Sequence, residues 1–209
     1  MKNYADVMFH EAVAELQKED GSYAKYQKLY PHRQQEGFSE ADIAFLQSRE
    51  SIYMASVDPE GWPYVQHRGG PRGFLKVVGG KKIVCADYAG NRQFISMGNL
   101  ARDDRVSIFA MDYENQRRLK MQARARLRKA ADVELEVLEL LGEGGPEAER
   151  VLELEVIAMD WNCPKYIPRM YSEAALREVI GPRIAALKAE NERLREALES
   201  FIGDKSNKP

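Results

Sequence analysis

Apolar and polar positions along the chain change their spacing twice, and each change predicts a different kind of element. Residues 5–18 set Val7, Met8, Val13 and Leu16 on one loosely amphipathic face, which predicts a helix. Residues 22–37 are polar and aromatic, and Pro31 and Gly37 break any long element there. A second helix is predicted to open at Ser39. Ser39-Glu40-Ala41-Asp42 has the capping-box pattern, and Phe38 with Ile43 has the spacing of a hydrophobic staple. It should end near Ser48.

From Ser51 the alternation has a period of two. Ser51–Val57 and Tyr64–His67 flank Asp58-Pro59-Glu60-Gly61, a turn with Pro and Gly where a reversal wants them. Gly73–Val78 and Lys81–Asp87 flank Gly79-Gly80, a two-residue hairpin signal, since both positions tolerate positive φ. A helix over Arg92–Ala101 and a strand over Arg105–Met111 follow. The clearest strand spans 118–128: Leu119, Met121, Ala123, Ala125 and Leu127 alternate with Arg118, Lys120, Gln122, Arg124, Arg126 and Arg128. One face must be buried and the other is basic. A helix over 131–141 and a Gly144-Gly145-Pro146 break lead to a last strand, 151–159. Six or so strands in hairpins, with few helices between, predict a mainly β fold, an antiparallel barrel rather than a parallel sheet.

The helical period then returns. Gly181-Pro182 is predicted to start a helix with Pro at its first position. Ile184, Leu187, Asn191, Leu194, Leu198 and Phe201 follow 3-4-3-4-3 spacing, with Asn191 at an a position, where a buried Asn fixes register. Two readings stand side by side: a short coiled coil, or an amphipathic helix packed on its own domain.

Composition narrows the class. The 209 residues are 44% apolar and 31% charged, enough for one cored domain with appendages. No apolar run reaches the roughly 18 residues that span a bilayer, and Met1–Asp6 lacks the apolar stretch of a signal peptide. Cys85 and Cys163 are too few for a disulfide framework, so a cytoplasmic location and no membrane partner are expected. His10, His32 and His67 are widely spaced, so no metal site is expected. Walker, dinucleotide and nucleophile-elbow motifs are absent. The net charge of −2 hides an asymmetry: residues 61–129 hold 15 Lys/Arg against 5 Asp/Glu, while both flanks are acidic. Either an anionic ligand binds the middle third, or segments of one fold complement each other in charge.

The candidate chemistry lies between Gly61 and Asp112. Glycines beside Arg68, Arg72 and Lys76 let backbone approach a ligand while the cations supply charge-assisted contacts. Asp87-Tyr88-Ala89-Gly90-Asn91-Arg92-Gln93 runs from a strand end into a predicted helix start, which suits a phosphate. Trp62 and Trp161 are expected in the core or an interface, Cys85 in the core, and Cys163 in a more exposed loop.

Taken in order, Arg68-Gly69-Gly70-Pro71, Phe74-Leu75-Lys76, the Gly-Gly hairpin, Gly90-Asn91-Arg92, Asn99-Leu100 and Asp104-Arg105-Val106-Ser107 resemble the pyridoxamine 5′-phosphate oxidase-like flavoproteins. The likeness is to their predicted flavin-nucleotide-binding branch, which shares Trp62-Pro63-Tyr64-Val65-Gln66-His67-Arg68-Gly69-Gly70-Pro71 and Asn162-Cys163-Pro164-Lys165-Tyr166-Ile167-Pro168. The resemblance implies an FMN-binding split barrel, a Greek-key antiparallel β-barrel forming a homodimer with flavin at the subunit interface. It also implies an oxidoreductase acting on a small-molecule redox substrate. The domain it covers is 38–170, between an N-terminal helical segment (1–37) and a C-terminal helical tail (171–209).

By position, the resemblance assigns Arg68, Arg72 and Lys76 to the strand that borders flavin, and Asn91, Arg92 and Gln93 to the phosphate-binding turn. Asp87 stands where the family oxidase has a small hydroxyl residue facing the cofactor. Gln93 replaces a Lys, shifting phosphate binding toward Arg92 and Lys76. Arg118 and Lys120 would approach the flavin from the partner subunit. The oxidase's Tyr-x-x-x-Arg-x-x-x-Ser segment and late Arg-x-His have no counterpart after residue 128, which argues against vitamin B6 oxidation. The rival readings are a non-enzymatic flavin-binding or sensing protein with a partner-binding C-terminal helix, a deazaflavin in place of FMN, and a nucleic-acid binder using the basic 118–128 face, the least favoured.

Overall fold

The computed structural model describes residues 1–142, 145 and 147–206, with the backbone alone for 162 and 200–206. Gly144 and Pro146 of the expected break, and the Phe201 side chain of the expected seam, lie outside the described residues. The chain divides into two compact units, Met1–Ile167 and Pro168–Pro209.

The first unit is built on one seven-stranded sheet. Its strands are β1 (Ser51–Val57), β2 (Pro63–Gly69), β3 (Lys76–Val78), β4 (Lys82–Asp87), β5 (Arg105–Asp112), β6 (Arg117–Lys129) and β7 (Arg150–Asn162). They lie in the order β2-β1-β5-β6-β7-β4-β3, and every pair is antiparallel. One face carries the core: Ile52 and Met54, Ile108 and Ala110, Leu119 and Met121, Leu152 and Leu154, Ile83 and Cys85 alternate inward from five strands. Each large side chain so buried contributes about 1.5–3 kcal/mol. The alternation of β6 places its apolar residues on this face, as its sequence predicts.

The sheet is open yet strongly curled. Its two halves approach closely enough that Arg68 of β2 forms an ion pair with Asp87 of β4, although β2 is the first strand in the order and β4 the sixth. Among the described residues no ladder of main-chain hydrogen bonds joins β2 to β4. This is a split barrel, with side chains spanning the split.

Helices close the ends. α4 (Glu40–Gln47) starts with the expected capping box, Asp42 N–H donating to Ser39 Oγ (3.2 Å) and Ser39 N–H to Asp42 Oδ2 (2.9 Å). The second oxygen of Asp42 accepts the Trp161 indole N–H at 2.8 Å, tying the cap to β7. The N-terminal segment is anchored by one buried carboxylate. Asp160 accepts from Tyr30 (3.3 Å) and Arg33 (3.0 Å) and pairs with Lys120 (3.1 Å). Burial, with Asp160 beside it, pushes the Tyr30 phenol up to about 12.

Several expected boundaries move. The helix over 5–18 is two helices, α1 (Tyr4–Met8) and α2 (Glu11–Glu19), because Phe9 leaves the helical region to stack edge-on against Tyr26 and Tyr30. Residues 22–37 contain α3 (Tyr23–Leu29) and a 3-10 turn through Pro31. The helix expected from Arg92 begins only at Ile95 (α5, Ile95–Leu100), since Arg92 and Phe94 take left-handed φ values of 60° and 55°. β3 holds only the last three residues of the expected 73–78 strand, because Gly73 turns with φ +84°. Val78 pairs with Lys82, so the hairpin turn is Gly79-Gly80-Lys81, one residue longer than expected. Residues 131–141 fold as a 3-10 turn and a short α6 (Leu135–Leu140), and the last strand runs past both expected ends to 150 and 162.

The second unit contains α7, Glu173–Ser206. Pro182, expected to open this helix, lies inside it. A proline lacks only one donor and distorts only its own turn, so flanking good helix formers carry the helix through.

Candidate functional site

The split between β2 and β4 opens into a small, half-open hollow of about 80 Å³. Alternation in β2 brings Tyr64, Gln66 and Arg68 to this side, because they pair with the inward residues Ser56, Met54 and Ile52 of β1. β4 ends in the hollow at Asp87, and the following loop adds Tyr88 and Gly90 to Phe94. Leu127 of β6 and Arg150 of β7 complete the far wall. α5 is pinned over the opening: Ser96 Oγ donates to Gln66 Oε1 at 2.8 Å and Asn99 Nδ2 to Ser56 Oγ at 3.0 Å.

Asp87 is the centre of the charge arrangement. One carboxylate oxygen accepts from Arg68 and the other from Arg150 Nε at 3.1 Å, while Arg150 also donates to Glu149 at 2.9 Å. The Arg68, Asp87 and Arg150 side chains are 11%, 15% and 18% exposed, so these pairs are shielded from water and gain strength from it. Arg68 Nε is buried and has no hydrogen-bond partner. A buried donor without an acceptor is costly, a cost the paired Nη of the same guanidinium offsets through Asp87. At the rim, Arg92 is exposed and has no partner among the described residues. Its loop is shaped by the Asn91 side chain, which accepts from Gln93 N–H at 3.2 Å, and by the two left-handed residues. The charged lining totals three arginines against two carboxylates, a modest excess of positive charge.

The structure therefore brings Arg68, Asp87, Asn91, Arg92 and Gln93 together. Arg72 and Lys76 line an adjoining hollow with Phe74 and Leu141, and Tyr88 borders both spaces. Arg72 is exposed and pairs with Glu50 at 3.2 Å. Arg118 and Lys120 lie on the opposite face of the sheet. Lys120 pairs in register with Phe109, which pairs with Tyr53, an outward residue of β1. The Arg118 guanidinium stacks over Phe109 at 5.0 Å. One copy of the chain cannot deliver either residue to the hollow. They would reach a ligand there only from a second copy.

The glycines of residues 69–73 have a folding reason. A Cβ on Gly70 would lie 2.7 Å from that of Phe74. By contrast, a Cβ on Gly90 would meet nothing within 4 Å, so the backbone beside Arg92 is open to approach.

Other expectations resolve simply. Cys85 is buried and its thiol is pushed up to about 12, while Cys163 is exposed. Trp161 packs on the core, but Trp62 is 70% exposed rather than core, carried outward at the tip of the β1–β2 turn. The basic side of β6 faces acids of its own chain: Arg124 pairs with Asp104, and Arg128 with Glu134 and Glu153. No group that could hold a metal ion exists among the described residues, and no described helix is long and apolar enough to cross a membrane.

Sequence reasoning missed Arg150, Glu149, Gln66 and Phe94. Gln66 was within reach, two residues before Arg68 on an alternating strand. Arg150 carries no local signal, since only the β4–β7 register sets it opposite Asp87.

The family model described as pyridoxamine 5′-phosphate oxidase matches residues 38–159. No curated protein matches the chain. Among solved structures, HupZ from Group A Streptococcus is 12% identical, with a TM-score of 0.47, over 64% of this chain and 99% of that one. A candidate pyridoxamine 5′-phosphate oxidase from Lactobacillus delbrueckii is 19% identical, with a TM-score of 0.48, over 60% of this chain and 95% of that one. HutZ, a heme storage protein from Vibrio cholerae, is 20% identical, with a TM-score of 0.39, over 56% of this chain and 88% of that one.

Proposed function

We propose, from the premise that the chain belongs to the pyridoxamine 5′-phosphate oxidase family, that it binds FMN in the β2–β4 hollow and acts as an FMN-dependent oxidoreductase on a small-molecule substrate. The observation that carries this reading is the exposed, unpaired Arg92 on an open backbone turn beside the shielded Arg68–Asp87–Arg150 cluster, at the mouth of the hollow. Arg92, the open backbone at Gly90 and the Asn91-Arg92-Gln93 turn would hold the phosphate. Asp87 fixes the planes of the Arg68 and Arg150 guanidiniums on one side of the hollow. Arg72 and Lys76, in the adjoining hollow, suit an anionic group next to the cofactor. Bound flavin would supply the redox chemistry, accepting and returning a hydride equivalent.

A homodimer with the cofactor at the subunit interface is part of the reading. Its support is an apolar outer face, on which Val57, Val65 and Phe109 are 40%, 60% and 36% exposed. Arg118 lies on this same face, where a second copy would carry it toward the flavin, whereas Lys120 is taken up by the buried Asp160. The two unpaired cysteines fit a cytoplasmic setting. Vitamin B6 oxidation is not proposed, because the segments that bind that substrate are missing.

The test is the absorption spectrum of the purified protein, with mass spectrometry of whatever cofactor it releases, then anaerobic addition of NADH or NADPH. Yellow protein that releases FMN and bleaches with a nicotinamide supports the whole reading. Bound FMN that no donor reduces leaves a binding or sensing protein. A colourless chain that takes up no FMN, or one that releases heme or a deazaflavin, overturns it.

A further inference from the structure

We infer that two copies of this chain pair through α7 as a parallel, in-register coiled coil. The helix is 34 residues long, about 50 Å, yet it exposes an apolar stripe interrupted over Ile180–Leu198 only by Asn191. Leu176, Ile180, Ile184, Leu187, Leu194 and Leu198 are each between 40% and 64% exposed. Most helical stability in proteins comes from packing an apolar face, and a helix of this length with a proline inside needs such a face covered. Because the helix reaches back to Glu173, the seam gains Ile180, the d position before Ile184. That makes it longer than the expected start at Pro182 allowed.

The occupant of the stripe is a second α7, and the polar positions set its direction. Asn191 occupies an a position, and within one helix its amide only back-bonds to the Leu187 carbonyl at 3.3 Å. Parallel, in-register pairing sets Asn191 against Asn191 of the other copy, where donor meets acceptor. Antiparallel pairing would set that amide against leucine. The flanking charges agree. Both e positions, Lys188 and Arg195, are cations, so antiparallel helices would oppose cation to cation. Parallel helices pair g with e, which brings Glu190 to Arg195. The one unfavourable contact, Arg183 near Lys188, lies at the solvated edge, where like charges are screened.

Cross-linking of the full chain tests this, with Cys163→Ser removing the exposed native thiol. Leu187→Cys puts a thiol in the seam, and Ala189→Cys puts one on the outer face. Under glutathione oxidation the seam thiol should link two copies about ten-fold or more faster than the outer one, reflecting its higher effective concentration. Equal rates at the two positions overturn the pairing. In the Leu187→Cys background, Arg195→Glu should slow linking several-fold, and adding Glu190→Arg should restore it. Unchanged or faster linking with Arg195→Glu overturns the parallel arrangement, since an antiparallel pair would gain a Lys188–Glu contact.

Discussion

At Arg92 an unpaired guanidinium stands on a left-handed residue, and at Asp87 a half-buried carboxylate holds two guanidiniums; these residues should fail in different ways when changed. FMN exceeds riboflavin by a phosphate whose charge must be met where water is excluded. Losing a charge-assisted contact costs about 1.5–3 kcal/mol, or roughly ten- to 150-fold in affinity. Arg92→Ala should therefore weaken FMN by that factor and leave riboflavin and the cofactor-free melting temperature nearly unchanged. Fluorescence quenching with both ligands measures it, and equal loss for the two would remove the phosphate assignment. Asp87→Ala should do the reverse. It strands Arg68 and Arg150 in a shielded site, and breaking such a network costs about 3–5 kcal/mol, visible as a lower melting temperature without any cofactor. Asp112 gives a pH signature. Burial pushes its carboxyl up, but hydrogen bonds from Asn115 and the charges of Arg49 and Arg117 outweigh this and hold it below its ordinary value. A lowered native value means stability present above the unfolded value, near pH 4, and lost as pH falls through the native one. Asp112→Asn should cost about 1–3 kcal/mol at neutral pH, with the difference from wild type shrinking below roughly pH 4 in denaturant titrations.

Among elements, those governed by local rules were legible and those governed by partners were not. β6 was readable because one strict alternation runs its whole length, and α4 because its cap is written in four consecutive residues. Ser39→Ala removes half of that cap and should cost about 1 kcal/mol, checked by thermal melts. The start of α5 was misread because nothing in Asn91-Arg92-Gln93-Phe94 announces two left-handed residues. α7 was misread because proline is a good helix opener, and only the residues before it reveal a helix already under way. The site divides the same way. Arg68, Asp87 and Arg92 stand out as charged residues at strand ends and turns. Arg150 enters only through the pairing of β4 with β7, and the separation of Lys120 from the hollow only through the two faces of the sheet.

For the whole molecule, the charge asymmetry proves to be largely internal. On the basic side of β6, Lys120, Arg124 and Arg128 are answered by Asp160, Asp104, Glu134 and Glu153, while Arg92 at the rim of the hollow is exposed and without a partner among the described residues. Since the first compact unit ends at Ile167 with its own core, removing residues 168–209 should leave a cooperatively melting protein with the same affinity for FMN. Calorimetry and a binding titration check this; loss of the melting transition would show that the tail belongs to the fold.

The strand order also sets the timing of biosynthesis. The β3–β4 hairpin is joined by main-chain pairing to the rest of the sheet only through β7, the last strand of the order to be made. As a chain grows from its N-terminus, β1, β2, β5 and β6 can assemble early, while the hairpin bearing Asp87 waits without a neighbour. Arg68 therefore meets its carboxylate only after residue 150 has emerged, and the arginine that completes the cluster arrives on the same strand. A nascent chain stalled before β7 would present two exposed sheet edges and no binding hollow. The Arg68–Asp87–Arg150 cluster is thus the last feature of the domain to form, and its ion pairs mark a completed barrel.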